Sequence, residues 1–162
     1  MSNIQAIKSI QNSNILEIKE YAGEVTFIVK LEGLYNFLNE LKTNYGFDYL
    51  VDIVATDLYV DGERFEVSYN LYNLTTKERI RVKTKVSEEK PEVPSVVSIW
   101  PSANWYEREQ YDMMGIIFKG HPDLRRIYMP EDFEYFPLRK EFPLLGIPGS
   151  IQIPEKDPPK GY

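Results

Sequence analysis

The chain has 162 residues, a net charge of −6, one histidine and no cysteine, with 43% hydrophobic and 27% charged side chains. That size and balance fit one globular domain with a real core. They exclude structural disulfides, thiolate catalysis, cysteine-ligated iron–sulfur clusters and a multi-histidine zinc site within one chain, and the acidic balance argues against a general nucleic-acid binder, which needs clustered Lys and Arg.

The opening "SNIQAIKSIQ" has a capping Ser2 or Asn3 and places Ile4, Ile7 and Ile10 at helical spacing, which predicts a short amphipathic helix. It lacks a basic start followed by an apolar block, so no signal peptide is expected. No apolar run reaches the roughly eighteen residues of a membrane span, and folding in the cytosol is the expectation. A hairpin follows, with Leu16 and Ile18 on one strand, Gly23 at the turn, and Val25, Phe27 and Val29 on the other. Leu34, Phe37, Leu38, Leu41 and Tyr45 then share one face of a helix that Gly46 stops.

Three strands are predicted next, in "FDYLVDIVATDLY", "RFEVSYNLYNL" and "ERIRVKTKV", the first two joined by "VDGE" as a tight turn. Phe65, Val67, Tyr69 and Leu71 alternate with polar residues, as do Ile80, Val82 and Val86, so the sheet has one buried and one wetter face. The row Arg79, Arg81, Lys83 and Lys85 reads as a solvated or partner-facing strand surface whose charge deters edge pairing, in preference to an RNA-binding strip. "SEEKPEVPS" is a predicted loop, "VVSIW" a short strand ended by Pro101, and "SANWYEREQYDMMG" a helix. Asn104 with Glu107 forms a candidate capping box at its start, with Ser102 as the alternative cap, and Gly115 ends it. Eight of the eleven prolines lie after Gly120, which forbids a long helix or central strand in the tail. The predicted class is α+β with two layers: helices packed on a mostly antiparallel, mixed sheet, plus an extended Pro-rich C-terminal tail. Residues 1–142 are expected to form one domain and 143–162 a partner-wrapping tail.

The stretch around residues 103–133 concentrates charge among large apolar side chains. His121 is a candidate general base, with Asp112 or Asp123 to orient it, and Glu107 and Glu109 are a candidate acid pair. No nucleophile elbow, phosphate-cradling loop or metal spacing accompanies them, and "GHPD" has the composition of a turn. The packing reading is stronger. Arg108 and Asp112 stand four apart as a possible ion pair. Arg125, Arg126 and Arg139 suit buried or interfacial carboxylates, and Trp105 is an anchor of the kind enriched at protein contacts. Such a network serves to hold the tail onto its own domain, to form an interface, or both.

"EREQYDMMGIIFKGHPDLRRIY" resembles the signature of the 30 kDa subunit family of respiratory complex I, NADH:quinone oxidoreductase. The matching positions are Glu107-Arg108-Glu109, Asp112, Met113-Met114, His121, Arg125 and Ile127-Tyr128. "PEDFEYFPLRKEFPL" is similar to the family's continuation, with Pro137-Leu138-Arg139-Lys140 in place, although the family often has Trp at the position of Phe133 and Asp at that of Glu141. "YLVDIVATD" and "SVVSIWPSANW" resemble the body. The resemblance implies a peripheral-arm subunit with no catalytic residue and no flavin, cluster or quinone of its own; FMN, the iron–sulfur clusters and quinone would belong to partners. Those partners are a hydrogenase-like large quinone-site subunit and neighbouring iron–sulfur subunits. The implied location is the cytoplasmic side of the bacterial inner membrane, with attachment through partners. The nearest alternative is the equivalent subunit of a membrane-bound hydrogenase or formate hydrogenlyase. Trp105, Glu107, Arg108, Glu109, Asp112, His121, Arg125, Arg126 and Arg139 are carried forward as an interface or structural motif.

Overall fold

Period-2 alternation along the middle of the chain builds a five-stranded sheet, and one helix-period stripe covers its apolar face. A computed structural model describes residues 3–9 and 12–147. In chain order the elements are α1 (Asn3–Lys8), β1 (Ile15–Tyr21), β2 (Glu24–Val29), a 3-10 turn (Leu31–Gly33), α2 (Leu34–Tyr45), β3 (Tyr49–Asp57), β4 (Phe65–Tyr72), β5 (Arg79–Val86), β6 (Glu92–Pro94), α3 (Ala103–Met114) and β7 (Ile117–Lys119). The sheet order is β1-β2-β5-β4-β3. All neighbours are antiparallel except β2 and β5, which run parallel. The sheet is therefore mixed, and the fold is α+β, as the pattern of elements predicts.

Register explains the core. Phe27, Val82, Tyr69 and Ile53 lie across from one another on successive strands. All are essentially buried, together with Leu34, Phe37, Leu38 and Leu41 on α2. Gly46 closes α2 at φ 69°, donating its N–H to the last turn. Residues Val67 and Phe65 continue the buried row toward α3, which packs against β3. There Gln110 Oε1 accepts the Ala55 N–H at 2.9 Å, satisfying a donor on the last strand of the sheet. Trp100, 2% exposed, anchors the entry to α3 by donating its indole N–H to the Phe47 carbonyl at 3.2 Å.

Several expectations are corrected. "VVSIW" is not a strand: Val96 O accepts from both Ile99 N and Trp100 N, so the segment curls into a turn. The strands here are β6, inside the predicted loop, and β7. They pair in parallel, with Val93 opposite Phe118, and α3 supplies the crossover that parallel pairing requires. The cationic strand β5 sits in the middle of the sheet, not at an edge, so its charges do not guard a free edge. Leu16 and Ile18 are exposed because β1 is the edge strand, and only Ile15 packs on the core. "VDGE" belongs to a longer loop, since β3 ends at Asp57 and β4 starts at Phe65. Asn3 makes a tie instead of a cap, donating its side-chain amide to the Tyr45 carbonyl at 2.9 Å. Ser2 and Ile10 lie outside the described residues, as does the tail beyond 147.

Candidate functional site

The site is built on α3, whose Glu107 and Asp112 are both fully buried. Glu107 is not a cap. Neither Ser102 nor any other side chain caps the start of α3. Glu107 faces inward, accepting the Ser95 hydroxyl at 2.7 Å on Oε2 and the Val96 N–H at 2.6 Å on Oε1. Both donors are neutral, so burial dominates and pushes the carboxyl up to about 7. Glu109, two residues on, points to a different face, is half-buried and forms no ion pair among the described residues. The two do not form an acid pair.

Asp112 is the opposite case. Its Oδ2 accepts the backbone N–H groups of Ile127, Tyr128 and Met129 at 2.9, 2.6 and 3.0 Å, and its Oδ1 accepts Arg126 at 2.8 Å. Burial alone would raise its pKa, but these donors to the charged form hold it below the usual carboxylate range. The anticipated Arg108–Asp112 pair does not form. Arg108 instead donates to the carbonyls of Arg125 and Arg126 at 3.1 and 3.3 Å, with its guanidinium over the Trp105 ring. Trp105 itself is 63% exposed. α3 thus grips the returning chain from two sides: Arg108 takes its carbonyls and Asp112 takes its N–H groups.

His121 lies in the turn. Its Nδ1 accepts the Asp123 N–H at 3.0 Å, which leaves Nε2 to donate to the Asn104 carbonyl at 3.2 Å. Both ring nitrogens are committed to backbone. Asp123 pairs instead with the exposed Arg125, through two contacts of 2.7 Å. Neither Asp112 nor Asp123 orients the histidine through its side chain.

A second cluster joins the body to the same segment, and its body half, Asp57, Arg64 and Glu88, lies outside the sequence motif. Arg64, on the β3–β4 hairpin, reaches Asp57 with contacts of 2.8 and 2.6 Å and also contacts Glu88 and Glu141. Asp57 accepts the Lys140 N–H at 2.8 Å as well. The Arg64 guanidinium holds the Asp57 carboxyl well below its ordinary range, and Asp57 in turn raises the pKa of Arg64. Asp57 and Arg64 were legible only as polar residues flanking strand patterns. Their local hint is that Asp57 ends β3 and Arg64 immediately precedes β4, on either side of the turn. Arg139 completes the arrangement: its Nε donates to the Met114 carbonyl at 2.8 Å, while its guanidinium lies between Phe65 and Phe136. Burial lowers its pKa. Gly115 is required here, because at φ 74° a Cβ would lie 2.7 Å from Arg139 and Phe136. Past this anchor, Leu144 and Leu145 are fully exposed.

Among the described residues no group of three or more His, Cys, Asp or Glu is placed to hold a metal, and no helix is long and apolar enough to cross a membrane. Fold and site together define a class: an α+β domain on a mixed sheet whose acidic helix clamps a proline-rich segment of its own chain. The chain belongs to the family described as respiratory-chain NADH dehydrogenase, 30 Kd subunit, which matches residues 27–147. It is 45% identical over 92% of its length to the C-subunit of NADH-quinone oxidoreductase from Geotalea uraniireducens (strain Rf4), covering 87% of that protein. It is 50% identical over 76% of its length to a C-subunit of the same enzyme, numbered 2, from Rhizobium meliloti (strain 1021), covering 69% of that protein. Among solved structures it is similar to a trypsin-resistant fragment of Nqo5, with TM-score 0.68 and 34% identity, over 76% of this chain and all of that one. It is also similar to a chain of the membrane-bound sulfane sulfur reductase, an archaeal respiratory membrane complex, with TM-score 0.77 and 28% identity, over 90% of this chain and 88% of that one.

Proposed function

We propose that this chain is a non-catalytic peripheral-arm subunit of a proton-translocating NADH:quinone oxidoreductase, where it holds the large quinone-site subunit and neighbouring iron–sulfur subunits together. The observation that carries this reading is how α3 and the segment it grips use their charges. Glu107, Arg108, Asp112, His121, Arg126 and Arg139 all bond to the chain's own backbone or hydroxyl groups. They position the segment that ends in the exposed Leu144 and Leu145. Groups bonded in this way fix the geometry of the chain, which supports a positioning role. Trp105 and Tyr128, both more than half exposed, add large apolar contacts of the type that anchor protein interfaces. In this reading FMN, clusters and quinone reside in partner subunits, and the chain is held on the cytoplasmic side of the bacterial inner membrane through those partners.

The test is to purify the native membrane complex, separate this subunit, and measure its iron content and absorption spectrum. The expected result is cofactor in the complex and none on this chain. Stoichiometric iron or flavin on the separated chain overturns the reading. The similarity to the archaeal sulfane sulfur reductase chain over 90% of this sequence supports a second reading, the equivalent subunit of a related membrane-bound complex. NADH oxidation by the purified complex favours the first reading, and its absence together with a flavin-free subunit set favours the second.

A further inference from the structure

The loop between β3 and β4 covers residues 58–64, and residues 58–63 are all exposed. Its two ends are held. Asp57 Oδ1 accepts the Tyr59 N–H at 2.9 Å, and the Gly62 carbonyl accepts the N–H groups of Arg64 and Glu88 at 2.9 and 3.0 Å. Between these anchors lies Asp61-Gly62, the chain's only Asp-Gly pair, and the chain has no Asn-Gly pair. Among the described residues the Asp61 carboxyl has no hydrogen bond or ion pair, and the Gly62 N–H has no acceptor. Nothing lies within 4 Å of the place a Cβ on Gly62 would take.

A backbone nitrogen can close a ring onto the side-chain carbon of the aspartate before it. Three things slow that closure: bulk on the residue supplying the nitrogen, bonds that hold either group, and a backbone too rigid to turn. Asp61-Gly62 is free of the first two and sits on an exposed loop. The other aspartates are not. Asp52, Asp57, Asp112 and Asp123 are bonded through their carboxylates. The Phe133 N–H that follows Asp132 is taken by the Pro130 carbonyl at 3.1 Å. Asp48 precedes the bulky Tyr49 at the start of β3, and Asp157 precedes Pro158, which has no N–H.

We propose that Asp61 is a modification site: the aspartate of this chain that converts to isoaspartate, with the Gly62 nitrogen as nucleophile. That nitrogen attacks Cγ of the protonated carboxyl. The N–Cγ bond forms, and the carboxyl's hydroxyl leaves with the amide proton as water. Water then adds to one of the two ring carbonyls. Breaking N–Cγ restores aspartate, and breaking the bond from nitrogen to the Asp61 carbonyl carbon leaves Gly62 joined through the side chain. One water is released and one consumed, with no oxidant or reductant. The product has one more methylene in the backbone between two fixed points, the Tyr59 N–H and the Gly62 carbonyl. Gly62 ties down Glu88, and Glu88 pairs with Arg64 at 2.5 Å, so the modification loosens the cluster that also holds Lys140 and Glu141. The inference uses no partner and stands apart from the assembly reading.

The test holds the full chain at neutral pH in heavy-oxygen water, digests it in ordinary water, and maps it by fragmentation that separates the two linkages. The reference probe is the blocked pentapeptide N-acetyl-Tyr-Val-Asp-Gly-Glu-amide. Asp61 is expected to gain a heavy oxygen and an isoaspartyl link within about tenfold of the peptide's rate, the delay set by a loop tip that opens at low cost. Asp61→Glu, which would need a ring one atom larger, is expected to gain none at this position. The isoaspartyl form, separated by ion exchange, is expected to melt about 2–4 °C below the fresh chain, the loss of one hydrogen bond. No label at residue 61, label only once urea unfolds the chain, or faster conversion at another aspartate overturns the site. An equal melt overturns the loosening. None of these results bears on cofactor content or partner binding, so failure here leaves the assembly reading untouched.

Discussion

Glu107 and Asp112 are equally buried on one helix, yet they shift in opposite directions because their donors differ. Glu107 has two neutral donors and no cation, while Asp112 has three backbone N–H groups and an arginine. The linkage follows. Glu107 binds its proton more tightly when folded, so its stabilising contribution is full below the unfolded pKa of 4.5 and is lost as pH rises toward about 7. A shift of that size corresponds to about 3 kcal/mol. Asp57 and Asp112 act the other way: their contributions are present above the ordinary Asp value of 3.8 and are lost as pH falls through their depressed values. Glu107→Gln keeps one acceptor for Val96 and can donate to Ser95. Urea titrations across pH 4.5 to 7.5 should therefore show a flatter profile for Glu107→Gln than for the natural chain; an identical slope would mean that Glu107 ionises normally. Asp112→Ala takes the acceptor from three backbone N–H groups and the carboxylate from Arg126, and is expected to cost roughly 3–5 kcal/mol in the same assay, with Asp112→Asn intermediate. The sequence marked both acids as important but could not separate their roles. The Asn104–Glu107 spacing satisfies a capping box locally, and only the long-range approach of Ser95 and Val96 decides otherwise.

At the scale of elements, α3 and the chain that returns after Gly120 form one unit. Leu138 N donates to Met113 O and Arg139 Nε to Met114 O, which gives the last carbonyls of α3 partners from the returning segment. Gly115 makes this approach possible. Gly115→Ala imposes an unfavourable left-handed residue and a clash with Phe136 and Arg139, for roughly 2–4 kcal/mol together. A lowered melting temperature with a normal far-ultraviolet spectrum is the expected outcome, and an unchanged melt would show that the returning segment yields freely. α2 and the long strands were readable because their periods run over many residues. β6 and β7 were not: three residues carry no period, and their pairing depends on α3 bringing distant segments together. Alternation on β5 identified a two-faced strand correctly, but a period cannot say whether such a strand lies at an edge or in the middle.

For the whole molecule, the question is where the self-contained body stops. Residues 140 and 141 belong to the body: the Lys140 N–H bonds Asp57, and Glu141 contacts the buried Arg64. Phe142 packs near Phe133 and Tyr135. Beyond them, Leu144 and Leu145 make the apolar surface fully accessible. The proline count after Gly120 announced an irregular tail but not its anchor, because Asp57 and Lys140 are far apart in sequence. Two truncations separate the roles. Ending the chain after Phe142 keeps every anchor named here, so the melting temperature should move by no more than about 2 °C. Its retention by the isolated large subunit in a pull-down should nevertheless fall. Ending the chain after Phe136 removes Leu138, Arg139, Lys140 and Glu141 and strips partners from Asp57, Arg64 and the end of α3. Several charge-assisted bonds at about 1.5–3 kcal/mol each are then lost, and the melting temperature should drop on the order of 10 °C. If the shorter cut after Phe142 binds the large subunit as well as the full chain, the interface lies elsewhere on the domain. If it melts as low as the cut after Phe136, Leu144 and Leu145 belong to the chain's own core.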